Sequence, residues 1–465
     1  AVTVKDPREI KEIMDKAIYF LTNGRPGPVW VDVPIDVQGS LIDPNKLKGF
    51  DGDIKKLVND PGVTDNTKLE LTTKSNLNDK TFDIIFEKLK KSSRPVILAG
   101  TGVSISKMSK QFLKLIKKLK IPIVTGWNAH DLISNDNKYY AGKPGTVGDR
   151  PGNFTVQNSD LLIVLGCRLN IRQISYNWKE FAPKAFKVMV DIDQAELDKP
   201  TLKIDHKIKA DLQTFIPLFI QKIQDLNYTC TKEHKKYLMW CKERVIKYPV
   251  MLPEYSNTKI KKINPYAFTD ELFNLLDKDD VVITGNGSAC VITFQAAKIK
   301  QGQRLYTNSG SASMGYDLPA SIGAAIAKKG KRIICLAGDG SLMMNLQELQ
   351  TMQGYNLPIK VFILNNEGYV SIKQTQEAYF SDNISGVGPK SGVSMPNFIE
   401  LGKALNIPNI KVTKLSQLSS SKFLKMLNDN KSGIFEIIID PNQGFSPKLT
   451  SRKLDDGTMV SPSLH

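Results

Sequence analysis

Two rhythms of apolar residues alternate along the chain. Short continuous apolar runs such as "RPVILAG", "IPIVTG", "DLLIVLG" and "FKVMVD" end in glycine or aspartate, as strands buried on both faces of a sheet do. Between the first two, "KMSKQFLKLIKKLK" at 107–120 sets Phe112, Leu113, Leu115, Ile116 and Leu119 on one face and lysines on the other, the period of a surface helix. This alternation over residues 82 to 223 predicts a parallel sheet. The plan returns from residue 267 to residue 440, with strands at "DVVITG", "RLYTNS", "KRIICLAG", "PIKVFILNN" and "GIFEIIID". The fold class is therefore α/β: two Rossmann-like parallel-sheet domains, a central nucleotide-binding-like one over 81–225 and a C-terminal one over 267–465. Residues 1–43 hold one helix pattern and one short strand, too little to bury a core, and read as the remnant of a third domain. The polar stretches 44–80 and 226–266 read as linkers.

Composition narrows the partners. No apolar run reaches the length of a membrane span, and the chain opens on a polar stretch, so a cytoplasmic protein without membrane contact is expected. Cys167, Cys230, Cys241, Cys290 and Cys335 are scattered and never at CxxC spacing, which argues against a disulfide framework or a zinc site. The net charge of +17 comes largely from lysines on solvated helix faces. Without an aromatic-interleaved basic stripe it does not indicate nucleic acid.

The chemistry concentrates at glycine-rich strand ends of the C-terminal domain: "TGNGSA" at 284–289, "NSGSASMGYDLPA" at 308–320, "GDGS" at 338–341 and "NNEGY" at 365–369. Glycine-flanked backbone and exposed helix N-terminal amides form an anion cradle. Asp339 and Asn366, 27 residues apart, add a carboxylate and an amide oxygen, a pairing suited to Mg²⁺ shared with phosphate oxygens and water. A magnesium diphosphate is the expected ligand.

These residues carry a resemblance. GDGS, followed 27 residues after its aspartate by the second asparagine of an NN pair, resembles the thiamine diphosphate motif of the acetolactate synthase superfamily. "SMGYDLPASIGAA", "NGRPGPVWVDVPIDVQ", "VQNSDLLIVLGCRL" and "VDIDQAEL" extend the similarity over nearly the whole chain. The resemblance implies that Asp339, Asn366 and the Gly368 carbonyl bind Mg²⁺. It further implies that Asn286, Gly287, Ser288, Gly338, Gly340, Ser341, Gly368 and Tyr369 contact the cofactor, and that Met314 props it into the bent form that reacts. It implies a decarboxylase or carboligase acting on pyruvate or a related 2-keto acid, as a homodimer or homotetramer with its active site at a subunit interface.

The pattern also departs from the family. Ser288 and Ala289 stand where acetolactate synthases have Gln-His, and "GYVSIKQTQ" replaces a segment bearing a substrate-shaping tryptophan, which keeps open two-carbon transfer to another acceptor such as a keto sugar. In the central domain "RLNIR" replaces the flavin-holding Arg-Phe-Asp-Asp-Arg. Gly100, Gly102, Arg168, Arg172, Asp191 and Asp193 remain candidates for a nucleotide, FAD or ADP. Most of the family's pyrimidine-binding domain, with its activating glutamate, has no counterpart here. The resemblance thus implies that these 465 residues alone turn over no substrate, and it leaves a noncatalytic cofactor-binding relative as an alternative.

Overall fold

The computed structural model describes residues 1–60, 63, 75–256, 262–380 and 383–464. Parts of both expected linkers, 61–62, 64–74 and 257–261, lie outside the described residues. Strands β1 (Val2–Thr3) and β2 (Val31–Asp32) pair in parallel beside the helix Ile10–Thr22. This is the helix and strand that the N-terminal pattern predicts.

The central domain is a five-stranded parallel sheet of order β4-β3-β5-β6-β7. Its strands are β3 (Pro95–Ala99), β4 (Ile123–Thr125), β5 (Leu161–Leu165), β6 (Phe186–Asp191) and β7 (His206–Lys209). The helix Asp79–Lys91 begins at a capping box made by Asn78 and Thr81, which satisfies amides that the first turn would leave unpaired. The helix Ser109–Leu119 buries Phe112, Leu115, Ile116 and Leu119 against the sheet, with Leu113 half-buried.

The C-terminal domain is a six-stranded parallel sheet of order β12-β13-β11-β10-β8-β9. It comprises β8 (Val281–Thr284), β9 (Arg304–Thr307), β10 (Ile333–Gly338), β11 (Ile359–Asn365), β12 (Asn409–Val412) and β13 (Gly433–Ile438). After β8 the chain steps to one side for β9 and to the other for β10. That reversal opens a crevice between the ends of β8 and β10, where doubly wound sheets take ligands. The central sheet reverses in the same way between β3 and β5.

Two strands of these two sheets escaped the sequence reading, and both lie at sheet edges. β7 reads "HKIK" and β12 "NIKV"; each is four residues long and broken by lysine, so neither shows the continuous apolar run of an interior strand. Residues 226–266 are more than a linker. They contain the helix Lys232–Lys247, which buries Tyr237 and Cys241 in the central core, and the start of the helix Pro265–Leu275. The segment after β13 leaves its own domain: Leu449 N–H donates to the Thr146 carbonyl at 2.8 Å, and Leu464 is buried in the central core. All five cysteines are free thiols. Among the described residues no helix is long and apolar enough to cross a membrane.

Candidate active site

Four adjacent strands, β11, β10, β8 and β9, deliver the four glycine-rich loops to one edge. They enclose a cavity of about 120 Å³ whose lining includes Asn286, Gly287, Ser288, Met314, Gly338, Asp339, Gly340, Ser341, Asn366, Gly368 and Tyr369. The structure thus brings together every residue that the sequence assigned to the diphosphate and metal.

Asp339 is the organising group. It is 1 % exposed, with Oδ1 accepting from Gly340 N–H at 2.8 Å and Oδ2 from Asn366 N–H at 3.2 Å and Gly368 N–H at 3.0 Å. Burial pushes its carboxyl up to about 6 against the pull of these amides. The two asparagines divide their work through strand alternation. Asn365 turns to the neighbouring strand and donates to Glu436 Oε1 at 2.7 Å, while Asn366 faces the cavity. Its Oδ1 is buried and has no hydrogen-bond partner among the described residues. An orphaned amide oxygen beside a buried carboxylate fits a hard cation that takes oxygen ligands.

Glycine is required at two of these positions. A Cβ at Gly340 would lie 2.3 Å from the Tyr369 ring. At Gly368, φ is +139° and a Cβ would meet the Val387 carbonyl oxygen at 2.2 Å. Met314 is 39 % exposed at the cavity wall, an unusual place for a purely structural methionine. Asn286 is tied to the next loop through its Nδ2, which donates to the Ala312 carbonyl at 3.0 Å.

Ser341 and a residue that the sequence reading missed form a pair below the cavity. The Ser341 hydroxyl donates to Asp317 Oδ2 at 2.8 Å and accepts from Gly315 N–H at 2.9 Å. Asp317 has no exposed surface. In "GYDLPA" it reads as an ordinary acid at a helix start, and only the proximity of "GDGS" could have singled it out.

The central crevice is a second, larger cavity of about 450 Å³, lined by Gly102, Gly166, Arg168, Asp191 and Arg25 among others. Burial pushes Asp191 up to about 6. Asp193 lies beneath Arg25, which pairs with both Asp193 and Glu196; Arg168 and Lys199 also pair with Glu196. Gly100, Arg172 and Asp193 are not in the lining. Gly100 permits close strand packing, a Cβ there lying 2.1 Å from the Gly166 carbonyl oxygen. Arg172 sits over the Trp127 ring at 5.4 Å.

Comparison with known proteins agrees with this geometry. Residues 82–219 match the family described as "Thiamine pyrophosphate enzyme, central domain". Residues 285–437 match "Thiamine pyrophosphate enzyme, C-terminal TPP binding domain". The acetolactate synthase large subunit of Cyanidium caldarium is 30% identical over 459 residues, which cover 97% of this chain and 73% of that protein. That of Porphyra purpurea is 31% identical over 422 residues, 90% and 67%. A probable acetolactate synthase large subunit of Methanocaldococcus jannaschii is 29% identical over 447 residues, 94% and 71%. With two matched domains and a glycine-lined cavity at the crevice of the second, the chain belongs to the thiamine pyrophosphate enzymes, as a member of the acetolactate synthase type.

Proposed function

We propose that the chain holds Mg²⁺ through Asp339, Asn366 and the Gly368 carbonyl, and with it the diphosphate of its cofactor, to act on pyruvate or a related 2-keto acid. The observation that carries the metal assignment is the unpartnered Asn366 Oδ1 next to the buried Asp339 carboxylate. When bound, thiamine diphosphate supplies an electron sink for cleaving the bond between a keto carbon and its carboxylate and for transferring the remaining fragment. The chain's own residues orient and shield it. Gly338, Gly340 and Ser341 would border the diphosphate on one side, with Asn286, Gly287 and Ser288 across the crevice. Met314 would pack against the cofactor when it is bound, and Tyr369 closes the wall over Gly340.

In the same reading the central cavity takes an adenine nucleotide, FAD or ADP, with Gly102 beside its phosphates and Asp191 toward its ribose. Arg25 would have to release Asp193 for that residue to contribute. Five free cysteines suit a reducing, cytoplasmic setting, and the family's habit supports a homodimer or homotetramer with the site at a subunit interface. The central unit runs over 81–225 and is extended by the helix Lys232–Lys247. A second reading, two-carbon transfer to another acceptor such as a keto sugar, is favoured by the small Ser288 and Ala289 in the cavity wall, which leave more room than Gln-His would.

Titration calorimetry of the full chain with thiamine diphosphate tests the metal assignment. Binding is expected only with Mg²⁺, and Asn366→Ala is expected to weaken it by at least about tenfold, the worth of one hydrogen-bond-strength contact to a charge. Equal affinity in the variant overturns the assignment. Product analysis with pyruvate and added keto sugars separates the two acceptors.

A further inference from the structure

Asp317 joins three of the four loops that build the cradle, yet the family motif gives it no role. It begins the helix Asp317–Ala327 after the "NSGSASMGY" loop, its Oδ1 accepting from Leu318 N–H at 2.9 Å. Its Oδ2 holds the Ser341 hydroxyl of the "GDGS" loop. It also presses on the "TGNGSA" loop, because a Cβ at Gly285 would lie 2.1 Å from Oδ2 and 3.2 Å from Ser341 Oγ. A carboxylate with no exposed surface thus lies directly beneath a cavity shaped for an anion.

The Ser341 hydroxyl cannot serve a phosphate in this arrangement. It has one proton, given to Asp317, and it accepts from Gly315 N–H; what remains toward the cavity is a lone pair, the wrong polarity for a phosphate oxygen. Among the described residues no cation offsets Asp317: its surroundings are the Ser341 hydroxyl, main-chain amides and the Cys335 thiol of β10, which the Asp317 carboxylate helps hold above its ordinary range. Burial holds Asp317 itself at about 6, and a polyanion brought next to it favours its neutral form further.

We propose, resting on the cofactor reading above, that Asp317 is a positioning residue of the cradle, coupling diphosphate binding to the uptake of one proton. Ionised, it keeps the Ser341 proton. On taking a proton from solvent its Oδ2–H donates to Ser341 Oγ, and the Ser341 hydroxyl turns to donate to a phosphate oxygen. One proton enters and no covalent bond other than that O–H forms or breaks.

The test is calorimetry of the full chain with magnesium thiamine diphosphate in buffers of different ionisation enthalpy, which counts protons taken up. Wild type is expected to take up as much as about one proton more than Asp317→Asn above pH ~6, and its affinity relative to that variant to fall by up to about tenfold per pH unit. The asparagine amide can donate to Ser341 permanently, so Asp317→Asn is expected to bind at every pH, whereas Asp317→Ala loses the anchor and binds more weakly. A second comparison stands if Asp317→Asn fails to fold: the advantage of wild type over Ser341→Ala should be about tenfold near pH ~5.5 and vanish near pH ~8.5. Equal proton counts in wild type and Asp317→Asn, or an Asp317→Asn as weak as Asp317→Ala, overturn the inference while leaving the cofactor reading intact. A wild-type chain that binds no magnesium thiamine diphosphate overturns both.

Discussion

Asn366 and Asp339 face the same cavity but carry opposite costs in the metal-free chain. A buried acceptor without a partner costs about 1–3 kcal/mol, so Asn366→Ala removes a liability along with its few contacts. Its thermal midpoint without metal is expected to stay within a few degrees of wild type or to rise, while Mg²⁺-dependent stabilisation by cofactor is lost. Asp339 instead satisfies the amides of Gly340, Asn366 and Gly368, and Asp339→Ala leaves them unpaired. That variant is expected to lose several kcal/mol with or without metal, about one to two per orphaned amide. Calorimetric scans of both variants, with and without Mg²⁺, check the contrast; a large metal-independent loss in Asn366→Ala contradicts it. The difference explains what the sequence could reveal at this scale. Spacing and residue type marked Asp339 and Asn366, because metal chemistry restricts both. Asp317 was invisible because its importance lies in burial beneath the loops, and sequence carries no direct record of depth.

The helix Gly287–Ala296 shows how an element links the two domains to the site. It is buried from Ala289 to Ala296, and its composition, "GSACVITFQA", lacks an amphipathic period, as a helix covered on all sides should. Its N-terminal residues line the cofactor cavity, its own domain packs along its sides, and the central domain meets its C-terminal end. Trp127 stacks on Phe294 at 5.2 Å, and Lys143, 3 % exposed, donates from Nζ to the carbonyls of Phe294, Gln295 and Ala297 at 3.0, 3.1 and 3.2 Å. A cation at a helix C-terminus complements the carbonyls left open there. Lys143→Met keeps the bulk and removes the donor, and is expected to destabilise the chain by about 3 kcal/mol, as loss of a buried charged partner does. The pH dependence carries a sign. Burial lowers Lys143 to about 8, so between about pH 8 and the ordinary lysine range the unfolded chain holds a proton that the native chain has released. This lysine therefore makes stability rise with pH across that window, and Lys143→Met should flatten that part of the profile in denaturant titrations. A steeper rise in the variant would contradict the burial argument. None of this was legible from "AGKPGTVGD", where lysine in a glycine-rich loop reads as solvated. Interior strands were legible because both faces are covered; the edge strands β7 and β12 were not.

At the scale of the whole molecule the two sheets are held in one body by cross-connections that no periodicity announces. Gln295 Nε2 donates to the Gly148 carbonyl at 3.3 Å and to the Pro447 carbonyl at 2.6 Å, and Arg304 pairs with Asp131 at 2.7 Å. The segment after β13 adds a strap. Leaving the C-terminal sheet, it bonds to Thr146, receives the Ser175 hydroxyl at the Pro462 carbonyl at 3.1 Å, and buries Leu464, 1 % exposed, in the central core. Such a polar, proline-bearing stretch reads as a tail by composition, because the two leucines that anchor it, Leu449 and Leu464, are fifteen positions apart, too far to form a pattern. If the strap couples the domains, truncating its anchor should loosen their cooperation more than it harms either sheet. Leu464→Ala is expected to cost about 2–3 kcal/mol, the lower part of the range for a buried leucine, since the strap can shift to fill the space. The loss should fall on the central domain, whose core holds the side chain. Unfolding followed by calorimetry is expected to broaden or split, with the transition of the central domain moving down while the cofactor-protected transition of the C-terminal domain stays in place. A single transition that shifts as a whole would mean that the interface through the helix Gly287–Ala296 suffices to hold the domains together, and that the strap adds packing without coupling them.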